Sequence, residues 1–341
     1  DKVAIAEIAS RLVLLLGTWL AIKSDSGLIG LIWVGFIANA VNFLFHFAFA
    51  KKFTAIRFEF CWPLWRHLIA TTWPLAIIIV FNLLYLKTDT LILSLIKTPG
   101  EVGLYGAAYK VIDVLTALPF IFAGIVLPII AAAWARGEKE YFHSVLQKAW
   151  DFVIIVACPI VVGAQFLSTQ AMALVAGQEF TAAGPILRIL ILAVGMIFIN
   201  SIVSHGVIAA GQQKKLIGAY IFTSITTIIG YLIFIPRFSY WGAAGVTVYS
   251  ETIIALLSIY YTRKITSFQP RLRSVFQALF ASLIMAIALS LIPAYFSSSL
   301  GGLLLSIASG AIIYALSLYL DGGLNREDIK IIFRTTNKTG S

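Results

Sequence analysis

The sequence predicts an all-α integral membrane protein with about ten transmembrane helices. The chain of 341 residues is 60% hydrophobic and 12% charged, and its mean hydropathy is +0.95. This composition excludes an ordinary water-soluble globular domain. Apolar stretches of roughly 20 residues, the helical length that crosses about 30 Å of hydrocarbon, recur along the whole chain. Because these stretches are continuous rather than alternating, helices are favoured over a transmembrane β-barrel.

Ten helices follow from the apolar stretches, taken in chain order. Short segments that contain glycine, proline or charged residues separate each stretch from the next. The predicted spans are residues 5–22, 28–50, 70–96, 103–133, 147–167, 184–209, 216–235, 241–262, 274–293 and 299–320.

The basic residues are divided unequally between the two sides of these spans. Of the 25 Lys and Arg residues, 18 lie in connections on the side of both chain ends, three lie on the other side and four lie within spans. Cytoplasmic connections carry the excess of Lys and Arg, which predicts that both ends of this chain are cytoplasmic. The net charge of +10 therefore indicates membrane lipids with anionic headgroups, rather than nucleic acid, as a partner.

Four charged residues lie in apolar runs on both sides of the turn at residues 99–100. A charge exposed to lipid at the bilayer centre costs about 2.5–3.5 kcal/mol, so these side chains are expected to face protein or water. Counted from the turn, Asp89 lies at the depth of Lys110, and Lys87 lies close to the depth of Asp113. The spacing predicts two ion pairs across a helical hairpin. They would either hold the hairpin together or line a polar cavity that offers cations to an anionic substrate.

Other polar residues within the spans leave alternatives open. Glu7 and Arg11 are four residues apart, so they either pair with each other or contact a ligand. Arg188 has no acid within helical reach and either extends to the interface or meets a phosphate. Asn200 lies deeper on the same helix, and Glu251 is interpreted as an interfacial residue near an inner helix end.

The sequence contains no motif typical of an enzyme. HExxH, CxxC, a phosphate-binding loop and a nucleophile elbow are all absent from it. We therefore predict a protein that is not an enzyme and that needs neither a cofactor nor a metal ion.

Several segments, in order and spacing, resemble polysaccharide flippases of the O-antigen (Wzx-like) type. This family lies within the multidrug/oligosaccharidyl-lipid/polysaccharide exporter superfamily. The segments are TDTLILSLIKTPGEVGLYGAAYKVIDVLTALPFIFAGIVLPIIAAAWARG, ALVAGQEFTAAGPILRIL, AAGQQKKL and WGAAGVTVYSE.

The resemblance implies two six-helix bundles that face a central cavity, often followed by two further helices. This chain would correspond to the fifth helix onward, with roughly four spans absent at its start. The implied domains are 1–50, the last two helices of a truncated first bundle; 51–69, an interfacial linker; 70–262, the second bundle; 263–320, two additional helices; and 321–341, a cytoplasmic tail.

The function implied by the resemblance is to flip an undecaprenyl-pyrophosphate-linked oligosaccharide across the bacterial inner membrane for surface polysaccharide biosynthesis. Such a headgroup calls for cations and hydrogen-bonding groups in a cavity. The candidate substrate-binding residues are Lys87, Lys110, Arg188, Asn200 and Arg11, with Tyr85, Tyr105 and Tyr109 as candidate sugar contacts. The candidates for charge pairing or for coupling to H⁺ or Na⁺ are Asp89, Asp113 and Glu7.

Two other functions compete with this interpretation. A drug/cation antiporter of the same superfamily would favour acidic cavity residues without surplus cations, and Arg188 argues against it. A membrane polysaccharide polymerase or ligase would need reactive groups on an outer loop, where this chain has few charges and no histidine. A purely structural subunit is disfavoured by the charges within the spans.

Overall fold

The computed structural model describes residues 2–53, 60–292 and 299–323, and these form nine long helices and one short 3₁₀ helix. All nine long helices are long and apolar enough to cross a membrane. They are α1 Lys2–Lys23, α2 Gly27–Phe53, α3 Trp62–Ile96, α4 Pro99–Ala135, α5 Lys139–Val175, α6 Gly184–Ala209, α7 Lys214–Thr266, α8 Arg273–Ser290 and α9 Leu300–Leu320, with the 3₁₀ helix at Gln178–Ala183.

Helix α7 contains two of the ten predicted spans. Its 53 residues would extend about 80 Å if straight, far more than one crossing requires. Ser239 interrupts it with φ 52° and ψ −136°, and the chain turns back there. Gly230 lies against Val246, and Gly242 lies against the carbonyl group of Phe234. The two arms of α7, before and after Ser239, therefore form an antiparallel hairpin, which explains nine helices where ten spans were predicted.

Several helices extend beyond the predicted spans. Helix α4 begins at Pro99 because Thr98 caps it: its hydroxyl accepts a hydrogen bond from the Glu101 amide, and the Glu101 carboxylate accepts one from the Thr98 amide. Helix α3 begins at Trp62, so residues 62–69 of the predicted interfacial linker are helical. The linker residues 54–59 and the tail beyond Gly323 lie outside the described residues.

The chain divides into two compact units, residues 1–70 and residues 71–341. In the first unit, α1 packs against α2, with Ala6, Ala21 and Ala38 buried between them. The larger apolar side chains of both helices are mostly exposed, as expected for helices that face lipid. The assignment of this unit to a truncated first bundle stays a prediction.

In the second unit, α6 is the central helix. It packs against α4, α5 and α7, and most of its residues are buried, from Gly184 to Val207. Helices α8 and α9 pack against α5, where the Tyr314 hydroxyl donates a hydrogen bond of 2.8 Å to the Ile155 carbonyl. The central position of α6 directs Asn200 into the protein interior. The division of this unit into residues 70–262 and 263–320 stays a prediction.

Candidate functional site

An ion pair joins α3 to α4 at the centre of the candidate site. The Lys87 ammonium lies 3.1 Å from Asp113 Oδ1, with 54% and 45% of the two side chains exposed. The same ammonium lies 4.9 Å from the centre of the Tyr109 ring, a distance typical of a cation–π contact. One of the two ion pairs expected from the sequence is therefore present in the structure.

The second expected pair, Asp89 with Lys110, is not formed. Asp89 is fully buried, and its Oδ2 accepts a hydrogen bond of 2.6 Å from the Tyr105 hydroxyl. Its Oδ1 accepts hydrogen bonds from the amide and the hydroxyl of Thr90. Lys110 is exposed, and no ion pair in the described part of the chain includes it.

Helical geometry explains this correction. Successive residues of an α-helix are rotated by about 100°, so Lys87 and Asp89 point to nearly opposite faces of α3. Lys110 and Asp113, three residues apart, lie within about 60° of each other on α4. When Lys87 meets Asp113, Asp89 must therefore point away from Lys110. Counting residues from the turn correctly placed Lys87 opposite Asp113, but position along the two helices alone does not decide which side chains meet.

Asp89 belongs to a buried network of hydroxyl groups. The Tyr105 hydroxyl lies 3.4 Å from Thr247 Oγ1, which lies 3.1 Å from the Tyr231 hydroxyl. Tyr231 in turn donates a hydrogen bond of 3.1 Å to the Tyr85 carbonyl. The network thus connects α3, α4 and both arms of α7. All three candidate sugar contacts, Tyr85, Tyr105 and Tyr109, are buried.

Glu251 is the functional candidate that the sequence interpretation missed. It is only 1% exposed, and its Oε1 has no hydrogen-bond partner among the described residues. The interpretation of Glu251 as interfacial is wrong. Its position at the middle of the predicted span 241–262 was the signal that could have identified it as an interior residue.

Glu251 and the Lys87–Asp113 pair line the same small cavity. The cavity has a volume of about 70 Å³. Asn200, from the central helix α6, also faces it, and Asn200 Oδ1 is buried without a hydrogen-bond partner in the described structure. The polar residues that line the cavity are Asn82, Lys87, Tyr109, Asp113, Thr116, Asn200 and Glu251.

A second, more open pocket of about 400 Å³ lies on the other side of the ion pair. Its polar lining comes from Lys87, Thr90, Ser94, Tyr109, Lys110 and Asp113. The structure therefore brings both lysines to one surface even though only one of them is paired. This surface, with the small cavity behind it, is the candidate functional site.

Arg188 lies elsewhere. Its guanidinium donates a hydrogen bond of 3.3 Å to Thr169 Oγ1, and its carbonyl accepts one of 3.1 Å from the Gln165 amide. It precedes Asn200 by twelve residues, about 18 Å along α6. Arg188 lines neither of the two pockets at Lys87.

Glu7 and Arg11 belong to the first unit. The possible ion pair between them is not formed. Among the described residues, the ion pairs are Lys87–Asp113 and Arg136–Glu138. Instead, the Asn42 amide lies 3.4 Å from Glu7 Oε1, and Arg11 is exposed. Their predicted roles toward a substrate or a coupling ion stay predictions.

The nine long apolar helices of the described residues define a multi-pass α-helical membrane protein. The fold is similar to that of the lipid II flippase MurJ in an inward closed conformation, with a TM-score of 0.73, 17% identity, and coverage of 96% of this chain and 68% of that chain. A crystal structure of MATE in complex with MaD3S gives a TM-score of 0.52 at 19% identity, over 74% of this chain and 63% of that chain.

The sequence comparisons add similarity to a family and to two curated proteins. Residues 2–134 match the family model described as polysaccharide biosynthesis protein. The "probable low-salt glycan biosynthesis flippase Agl15" of Haloferax volcanii is 24% identical over 202 residues, which are 59% of this chain and 43% of that protein. The uncharacterized membrane protein MJ1068 of Methanocaldococcus jannaschii is 22% identical over 165 residues, 48% of this chain and 32% of that protein.

These findings confirm the resemblance to the polysaccharide flippase family. The chain spans less than half the length of the two curated relatives that it matches. The family model covers α1, α2, α3 and nearly all of α4, and so includes Lys87, Lys110 and Asp113.

Proposed function

We propose that this chain is part of a flippase that moves an undecaprenyl-pyrophosphate-linked oligosaccharide to the outer leaflet of a bacterial inner membrane. The observation that carries the proposal is the pocket on α3 and α4 where Lys87 and Lys110 share one surface. The family match and the glycan flippase relative support the glycan part of the substrate. Both curated relatives described above are archaeal, so the bacterial setting and the undecaprenyl chain rest on the sequence resemblance alone.

The chemistry of the pocket fits a phosphate headgroup. Lys87 and Lys110 provide two ammonium groups, and the Tyr109 ring helps to hold the first of them in place. Asp113 neutralises Lys87 while the pocket is empty. Because this ion pair is about half exposed, its net contribution to stability is small. A doubly charged pyrophosphate can therefore displace Asp113 from Lys87 at little cost.

The remaining candidates have separate roles in this proposal. Asn200 lines the cavity of about 70 Å³ behind Lys87, and its proposed contact with the first sugar requires that cavity to widen during transport. Arg188 and Arg11 would contact the substrate at other points of its path, because Arg188 lies about 18 Å from Asn200. The candidate acids for coupling to H⁺ or Na⁺ remain Asp89, Asp113 and Glu7. Both chain ends lie in the cytoplasm in this proposal, as the basic residues predict.

The test is surface glycan production by cells that depend on the full-length protein. We expect Lys87→Ala and Lys110→Ala to abolish or strongly reduce surface glycan, with the protein still present in the membrane. Lys87→Arg should retain part of the activity because it keeps the charge. Lys148→Ala is the matched control, since Lys148 is exposed on α5 and forms no ion pair among the described residues. Normal glycan in both alanine variants would contradict the proposal.

The same variants separate the proposal from its main rival. A drug/cation antiporter would leave surface glycan unchanged and alter the resistance of the cells to cationic dyes. That result with Lys87→Ala would favour the antiporter. A polymerase or ligase would instead leave shortened or unattached glycan, which gel analysis of the cell-surface polymer distinguishes from its complete absence.

A further inference from the structure

The small cavity behind Lys87 contains two acceptors that lack a donor. Glu251 Oε1 and Asn200 Oδ1 are both buried, and neither has a hydrogen-bond partner among the described residues. They come from different helices, α7 and α6, and line the same 70 Å³ cavity. Buried acceptors are normally paired, because leaving one unpaired costs free energy. Two of them at one cavity therefore form a place that can receive a hydrogen-bond donor.

Lys87 is the donor that the structure offers. Its side chain lines this cavity as well as the open pocket. Lysine has a flexible four-carbon stem and an ammonium group with three protons to donate. In the observed state this ammonium is paired with Asp113 at 3.1 Å, and both residues lie between the two pockets that they line. The cavity is large enough for one or two groups the size of a water molecule, which occupies about 30 Å³.

We propose that Glu251 and Asn200 form a second, inner binding site for the Lys87 ammonium, and that Lys87 exchanges Asp113 for this site. In the inner state, Glu251 Oε1 and Asn200 Oδ1 each accept a hydrogen bond from Lys87. Asp113, which is 45% exposed, is then hydrated by water rather than left unpaired in a dry interior. The inner state thus satisfies the buried acceptors and leaves its uncompensated charge where solvent reaches it.

The exchange would explain why two acids, Asp113 and Glu251, line the same cavity as Lys87. The other charged and ionisable groups nearby do not serve as the donor. Lys110 lines the open pocket but not the inner cavity. Asp89 is held by Tyr105 and Thr90 on the opposite face of α3. The Tyr85 hydroxyl accepts a hydrogen bond from Asn82, and Glu251 Oε1 stays without a donor among the described residues.

Amine labelling of the full-length protein in detergent tests the exchange without any need for transport. Lys87 is modified with an acetylating reagent, and its labelling is measured by mass spectrometry relative to the exposed Lys148. With Asp113→Asn, the outer partner loses its charge and the ammonium should move inward. If more than nine-tenths of the molecules make this shift, labelling of Lys87 falls about tenfold. Adding Glu251→Gln to Asp113→Asn should restore the labelling, because the inner site then lacks its charge.

The opposite results would overturn the proposal. If Lys87 stays outward and water fills the cavity, Asp113→Asn would leave the labelling unchanged or increase it, since the amine would lose a partner. A double variant that stays poorly labelled would place the buried amine somewhere other than at Glu251. Asp113→Ser replaces Asp113→Asn if the latter does not accumulate, and each variant is accepted only if it elutes as a single species. Labelling of Lys87 does not depend on glycan transport. The exchange can therefore be contradicted while the flippase proposal stands, and the flippase proposal can be contradicted while the exchange stands.

Discussion

Asp89 accepts a hydrogen bond of 2.6 Å from the hydroxyl of Tyr105, a residue on the next helix. Both side chains are completely buried. The bond ties α3 to α4 at the point where the hydroxyl network continues to Thr247 on α7. Tyr105 therefore links Asp89 on α3 to Thr247 on α7.

Tyr105→Phe should destabilise the protein, because it leaves a buried carboxylate oxygen without its donor. The expected loss is about 1–3 kcal/mol, the usual cost of an unpaired buried polar group. Thermal unfolding of the detergent-purified protein measures it. Tyr141→Phe is the control, since Tyr141 is 49% exposed on α5 and should unfold like the parent. Equal unfolding temperatures for the two variants would mean that the bond contributes nothing.

Charge exchange should distinguish the pair that the structure contains from the pair that it lacks. Lys87→Asp should impair surface glycan production, and adding Asp113→Lys should recover part of it. Asp89→Lys should also impair the protein, since it places an unpaired cation in a buried network. Adding Lys110→Asp should give no recovery, because Asp89 and Lys110 point to different surroundings. Recovery in the second pair would contradict the geometry of the hairpin.

Gly242→Ala should disrupt the hairpin within α7. The new methyl group would collide with the Phe234 carbonyl, which belongs to the backbone and cannot rotate away. Overpacking of this kind costs about 1–3 kcal/mol. Gly245→Ala is a matched control three residues later, where a methyl group meets no atom within 4 Å. Membrane level and thermal unfolding of the two variants should therefore differ, and similar values would argue against close packing at residue 242.

The predicted orientation can be tested by thiol labelling in intact cells. With Cys61 and Cys158 replaced by serine, Gln178→Cys should react with an impermeant thiol reagent, whereas Lys214→Cys should not. Gln178 is preferred to Gly177, since Gly177 has φ 111°, a conformation that other residues rarely adopt. Ser298, another outer position expected from the sequence, lies outside the described residues. Labelling of Lys214→Cys alone would reverse the proposed orientation.

The sequence by itself determined the membrane-spanning helices. A stretch of roughly 20 apolar residues must form a helix in lipid, because every backbone polar group there needs a partner within the segment. This requirement is local, so the helices were predicted without knowledge of their neighbours. The sequence also separated the two arms of α7, since Pro236, Arg237 and Ser239 interrupt the apolar run. Counting residues from the turn at 99–100 also predicted that Lys87 and Asp113 lie at nearly the same level, and the two side chains form an ion pair.

Only the tertiary structure decided which face of each helix meets which neighbour. Asp89 is two residues from Lys87, yet it faces the interior hydroxyl network while Lys87 faces the pocket. Glu251 enters the site only because α7 folds back at Ser239 and lies beside α3 and α6. Arg188 was expected at the site and is instead held by α5. The pattern of apolar residues gives the position of a residue along its span. The direction of its side chain depends on how the helices rotate to bury one another's side chains.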